Sequence, residues 1–99
     1  MTELTSKQVQ EKIQNGDKFL LDYYAVWCGP CRVLKQTLSI MEDQLDLPIY
    51  TYNIDSDANF TRQSGVRSVP TLKLYENGKV INSGSGVMSP PQIKSFVGI

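Results

Sequence analysis

Both cysteines of the chain fall in one pentapeptide, Trp27-Cys28-Gly29-Pro30-Cys31, and no third is left to staple the fold elsewhere. The pair sits between two patterns of different period. Phe19 to Ala25 is short, aromatic-rich and almost continuously apolar, as a strand buried on both faces should be. From Pro30 onward, Leu34, Leu38, Met41 and Leu45 recur at helical spacing, which predicts a long helix whose apolar stripe faces the core. Proline suits a first helical turn, where its missing N–H would have no partner anyway. The cysteines therefore mark a strand-to-helix junction, and any fold of this chain has to hold the two thiols there, one turn apart.

The remaining elements follow from caps and turn residues. Thr5 or Ser6 can cap a first helix; Thr5 and Gln8 have capping-box spacing, Val9 and Ile13 share its inner face, and Gly16 ends it. Ile49 to Ile54 reads as a second strand after a loop closed by Pro48, followed by the turn residues Asp55-Ser56-Asp57. A short helix around Asn59 to Ser64 stops at Gly65. Thr71 to Glu76 and Lys79 to Asn82 flank Asn77-Gly78, the strongest short hairpin signal. Gly84-Ser85-Gly86 reads as a flexible connection, and Ser89 before Pro90 and Pro91 as the N-cap of a last helix carrying Ile93, Phe96 and Val97. The order helix, strand, helix, strand, helix, hairpin, helix predicts an α/β fold. Its central sheet is mixed, with a parallel pair from the strand–helix–strand start, antiparallel strands from the hairpin, and helices on both faces. With 99 residues, positions 1–99 are expected to form one domain.

Charge and hydropathy exclude several classes of function. The formal net charge is zero and the ten basic residues form no stripe, so no nucleic acid and no anionic membrane surface is expected as a partner. The longest apolar runs fall far short of a membrane span. Met1-Thr2-Glu3-Leu4-Thr5 lacks the charged-then-apolar pattern of a secretory signal, which sets a cytoplasmic location as the expectation. A static disulfide would be unusual in that compartment, and a reactive pair is the better use of two cysteines.

The chemistry of such a pair depends on the thiolate, because a thiol does not attack a disulfide. Cys28 falls where its sulfur would face the unpaired N–H groups and the positive end of the following helix. Arg32 and Lys35 add positive charge in the first two turns, or are ordinary surface helix formers; no acidic residue appears before Glu42. A thiol that ionises more easily gains only roughly threefold in attack, because nucleophilicity falls with pKa, but it also leaves more readily. Cys28 needs both properties if it attacks a target and later departs. Cys31, one turn into the helix, has no helix-end advantage and suits a resolving thiol. Gly29 and Pro30 keep the turn tight. A passive disulfide is the bland alternative. A metal centre is another: with no histidine and two thiols one molecule cannot build a four-ligand nitrogen–sulfur site, so no metal is expected, although two chains sharing an iron–sulfur cluster stays open. Asp22 stands out in the apolar strand; buried, its pKa should rise, and the alternative is a solvent-facing residue on a sheet edge.

The chain resembles the thioredoxin family. The resemblance rests on Asp22 to Cys31, on Asn53-Ile54-Asp55, on Gly65-Val66-Arg67-Ser68-Val69-Pro70-Thr71, and on Asn77-Gly78 and Gly86, in that order, and covers nearly all of the chain after Phe19. It implies the thioredoxin fold, with a central mixed sheet of four strands, or five if a residual first strand forms within Met1–Leu4. It implies a protein-disulfide reductase that works through a mixed disulfide, with Cys28 as nucleophile, Cys31 as resolving thiol and Asp22 as the buried carboxylate that helps move the second proton. Pro70 would be the family's cis-proline, a bond with a prior of only about 5–6% from sequence. It would expose the backbone of Val69 to an extended substrate segment. Trp27, Gly29, Pro30, Val69, Pro70, Gly86 and Val87 would form the rim that docks partners, although Trp27 taken alone reads as a packing residue. No bound cofactor is implied; reducing equivalents would come from NADPH through a thioredoxin reductase-like flavoprotein, and targets would include ribonucleotide reductase.

Three positions depart from the family pattern. The first strand is short or missing. Thr51 stands where many members carry a lysine near the buried aspartate, so the Asp22 pKa is expected to rise further. Val26 replaces a commonly charged residue before the motif. Two other functions compete with the reductase: a glutaredoxin-like enzyme recharged by glutathione, which the small size and reduced first strand fit, and a non-enzymatic structural subunit of a larger complex.

Overall fold

The computed structural model describes every residue from Met1 to Ile99. The elements run β1 (Thr2–Glu3), α1 (Ser6–Gln14), β2 (Phe19–Tyr24), α2 (Gly29–Met41), β3 (Ile49–Asn53), α3 (Ala58–Gln63), β4 (Thr71–Glu76), β5 (Lys79–Ser85) and α4 (Pro90–Phe96). They build one five-stranded sheet in the order β1-β3-β2-β4-β5. β1 and β2 both run parallel to β3, whereas β4 is antiparallel to β2 and β5 antiparallel to β4. The residual first strand does form: Thr2 and Glu3 pair with Tyr50 and Thr51, so the sheet has its fifth strand.

β2 lies at the centre, which explains its nearly unbroken apolar sequence. Leu20 faces one cluster with Leu34 and Leu38 of α2, Leu72 and Leu74 of β4, Ile93 of α4 and its C-cap residue Val97. Phe19, Leu21 and Tyr23 face another with Val9 of α1, Tyr52 of β3, Phe60 of α3 and Tyr75 of β4. The period-2 alternation of the strand thus feeds two cores, one under α2 and α4, the other under α1 and α3. In the second core Phe19 stacks on Tyr75, and the Tyr23 and Tyr75 hydroxyls meet at 2.6 Å, which satisfies both buried polar tips.

The caps behave as the residues require. Thr5 and Ser89 each form a capping box, with Gln8 and Gln92 respectively. Asp57, read from sequence only as a turn residue, caps α3 by accepting the Phe60 N–H. Asn77 and Gly78 take φ of 55° and 78°, the left-handed pair that a tight hairpin with matched twist needs.

Two expectations are corrected. Leu45 is not on the long helix: α2 ends at Met41, and Glu42–Gln44 tighten into a 3-10 turn that still delivers Leu45 to the core. Gly84 and Ser85 are not a flexible connection but the end of β5, paired with Leu72 and Thr71. Glycine is there for close approach, since a Cβ at position 84 would stand 2.7 Å from Met88 Cε and 3.3 Å from Phe96 Cε2.

Leu38, fully buried between α2 and the sheet, tests the core under the motif. Leu38→Ala is expected to cost about 3 kcal/mol in urea unfolding of the oxidised protein, from lost transfer energy plus the cavity left behind. A loss under about 1 kcal/mol would mean that α2 does not pack as described.

Candidate functional site

Leaving β2, the chain turns through Ala25 to Trp27 and enters α2 at Cys28. Cys28 is the N-cap: its backbone is extended, and its Sγ accepts the Cys31 N–H at 3.1 Å. The sulfur occupies the place that a serine or aspartate oxygen takes at most helix starts. Pro30 fills the first turn, and no acidic residue lies there. Cys28 and Cys31 are joined as a disulfide with their Cα atoms 5.3 Å apart, so the two sulfurs do reach each other. Once the bond is reduced, the same amide and the positive helix end favour the Cys28 thiolate.

The loop before β4 closes on this sulfur. The Val69 carbonyl oxygen lies 3.7 Å from Cys28 Sγ, and the Val69–Pro70 bond is cis, as the resemblance implies. Gly86 donates its N–H to the Pro70 carbonyl at 2.9 Å, which brings Gly86 and the half-exposed Val87 to the same corner. The Val69 amide has no acceptor within the chain. Trp27 is no packing residue: it is 66% exposed, and its Nε1 donates to Asp55 Oδ2 at 2.9 Å, which holds the indole flat beside the motif. Gly29 and Pro30 are exposed next to it. The structure therefore gathers Trp27, Cys28, Gly29, Pro30, Val69, Pro70, Gly86 and Val87 at one end of the sheet.

Asp22 lies apart from that rim, inside the sheet. It is fully buried in the central strand, between Thr51 of β3 and Leu72 of β4, so it is not an exposed edge residue. Neither carboxyl oxygen has a hydrogen-bond partner. Burial pushes its pKa up from 3.8 to about 7, and the positive charge of Lys35 pulls in the opposite direction. A carboxyl poised near neutrality can exchange a proton at working pH.

Arg32 and Lys35 are not arranged around Cys28. The Arg32 guanidinium donates to the Val26 carbonyl at 3.1 Å, and the Lys35 ammonium sits 5.6 Å from the centre of the Tyr24 ring. The Tyr24 hydroxyl in turn donates to Glu3 of β1. Sequence reasoning missed Tyr24 and Glu3, and left Lys35 either as a charge near the helix start or as an ordinary surface residue. One signal was present: Lys35 is four residues after Cys31, on the same helix face.

Comparison with known proteins agrees with this geometry. The family model described as Thioredoxin matches residues 1–98. The thioredoxin of Chlorobaculum thiosulfatiphilum is 35% identical over 89 residues, which span 87% of this chain and 82% of that protein. The thioredoxin of Haemophilus influenzae is 35% identical over 88 residues, 86% of this chain and 82% of its own. Among solved structures, a mutant thioredoxin from Halobacterium salinarum superposes with a TM-score of 0.82 at 26% identity, covering 99% of this chain and 93% of that one. Chloroplastic thioredoxin z reaches 0.86 at 19% identity over 99% and 91% of the two chains, a likeness of fold.

The burial of Asp22 makes stability depend on pH in a stated direction. The folded protein keeps this proton up to about pH 7, whereas the unfolded chain releases it near 3.8. The folded state binds more protons in that window, so its stability falls as pH rises through it. Asp22→Asn cannot ionise and escapes the loss. In urea unfolding of the oxidised proteins, the advantage of Asp22→Asn over wild type is expected to grow by on the order of 4 kcal/mol between about pH 4 and pH 8. A difference that stays constant with pH would contradict the burial of an ionisable Asp22.

Proposed function

Because the chain belongs to the thioredoxin family and is a dithiol–disulfide protein reductase, we propose that Cys28 is its nucleophile, Cys31 its resolving thiol and Asp22 the acceptor of the Cys31 proton. The observation that carries these roles is the Cys31 N–H donated to Cys28 Sγ at the origin of α2. It distinguishes the two sulfurs, since only Cys28 sits where a helix start favours negative charge.

The Cys28 thiolate attacks one sulfur of a substrate disulfide. The other substrate sulfur leaves as a thiolate, and a mixed disulfide forms. Cys31 then gives its proton to Asp22 and attacks Cys28 Sγ; the second substrate thiolate leaves. The substrate has gained two electrons, and the Cys28–Cys31 disulfide holds the oxidised state. An extended substrate segment pairs with the open backbone of Val69, beside Trp27, Pro30 and Val87, so that its disulfide lies over Cys28. The redox group is the disulfide itself. Reducing equivalents come from NADPH through a flavoprotein reductase, disulfide-forming enzymes such as ribonucleotide reductase are among the targets, and the protein works in the cytoplasm. No helix is long and apolar enough to cross a membrane, which is compatible with that location.

The glutathione-coupled alternative rested on small size and a reduced first strand; β1, though only two residues long, pairs with β3, and the relatives named above are thioredoxins. For a purely structural subunit, nothing in the geometry would require a polarised sulfur at a helix origin.

Insulin disulfide reduction tests the assignment. With NADPH and a thioredoxin reductase, turnover is expected at least tenfold above that with glutathione and its reductase. Cys31→Ser is expected to lose turnover and accumulate a mixed disulfide through Cys28, and Cys28→Ser to lose turnover with no such adduct. An adduct through Cys31 in the Cys28→Ser variant, or full activity in the double serine variant, would reverse or remove these roles.

A further inference from the structure

We propose that Lys35 is a positioning residue for proton exchange between Asp22 and Cys31, placed in a cleft that it shares with Cys31 by the ring of Tyr24, whose hydroxyl is in turn anchored on Glu3. The proposal rests on the reading of Asp22 as the proton acceptor.

The cleft measures about 290 Å³ and opens beside the motif, with Cys31, Arg32 and Lys35 on its helical wall and Tyr24, Ala25 and Val26 on the strand side. Lys35 stands over the Tyr24 ring within cation–π reach, and the Tyr24 hydroxyl is anchored on Glu3. The two-residue β1 thus anchors the ring over which the ammonium stands. Leu20, Asp22 and Tyr24 alternate onto the face of β2 under α2, so the orphaned carboxyl of Asp22 lies below the same helix.

Lys35 is the one cation that acts on Asp22. β3 and β4 place neutral Thr51 and Leu72 on either side, and α4 brings Ile93 and Val97 to this core. Arg32 is turned onto the Val26 carbonyl. Lys73 lies on the opposite face of the sheet, over the Tyr23 ring. Glu3 and Tyr24 are the acidic groups nearby; burial and the hydrogen bond to Glu3 push the Tyr24 hydroxyl up to about 12, so it stays protonated. Lys35 offsets part of the burial penalty on ionised Asp22. Without it, fewer Asp22 carboxylates are free at neutral pH to take the Cys31 proton, and resolution of the mixed disulfide slows.

Lys35 is exposed on α2, so it can be changed without disturbing the core. Two readouts test the proposal: NMR titration of the Asp22 carboxyl in the oxidised protein, and the pH profile of mixed-disulfide resolution in single turnover. Lys35→Met is expected to move the carboxyl midpoint upward. Its resolution rate should fall about threefold below neutral pH and meet that of wild type in alkali, where Asp22 is ionised in both. Lys35→Arg is expected to restore the profile. Added salt should move wild type toward Lys35→Met and leave the variant unchanged, because an exposed charge is screened. Identical midpoints near neutrality in wild type and Lys35→Met would overturn the role of Lys35 alone. A wild-type Asp22 midpoint in the ordinary carboxylate range, or an Asp22→Asn variant that resolves at the wild-type rate, would instead overturn the reading of Asp22 on which it rests.

Discussion

One contact, the Cys31 N–H on Cys28 Sγ, joins the fold to the chemistry. A helix start leaves backbone donors without partners, and most chains satisfy one of them with an oxygen. Here a sulfur does so. The same contact caps α2, bends the chain out of the central strand, and separates a sulfur at the positive helix end from one inside the helix. Replacing this cap with an ordinary residue would alter a helix terminus and an active group together. Gly29 and Pro30 complete the first turn that the sulfur caps.

The second constraint is a charge in the wrong place. Asp22 occupies the middle of the most buried strand, with no hydrogen bond to either oxygen. Such a group costs several kcal/mol when ionised, and the two apolar cores on either side of β2 supply the stability that tolerates it. The arrangement keeps the carboxyl undecided between its two states near neutral pH, which a hydrogen-bonded or solvated aspartate would not be. Lys35 adjusts that balance from outside the core, and β1, only two residues long, contributes the glutamate that steadies the ring beneath it.

Much of this was legible in the sequence, because it depends on local rules. The capping residues Thr5 and Ser89, the Asn77-Gly78 hairpin, the helical stripe after Pro30 and the strand-to-helix junction at the cysteines all act within a few residues of themselves. What escaped depends on partners distant along the chain. β1 stays only an alternative in the sequence because two residues show no period; it forms on the edge that β3 offers. Gly84 looked like a flexible joint because the close approach of Met88 and Phe96 cannot be seen from its neighbours in sequence. The cis bond before Pro70 came from family resemblance and not from any local signal. From sequence Lys35 reads as a charge near the helix start or as an ordinary surface residue, because the ring it stands over lies on another element.

The difference between the two sulfurs is tested by the pH dependence of alkylation of the fully reduced protein, read separately at each cysteine by mass spectrometry. Cys28 is expected to react with a midpoint well below the ~8.5 of a free thiol, while Cys31 stays protected until alkaline pH. Equal reactivity of the two, or a Cys28 that titrates like a free thiol, would contradict it.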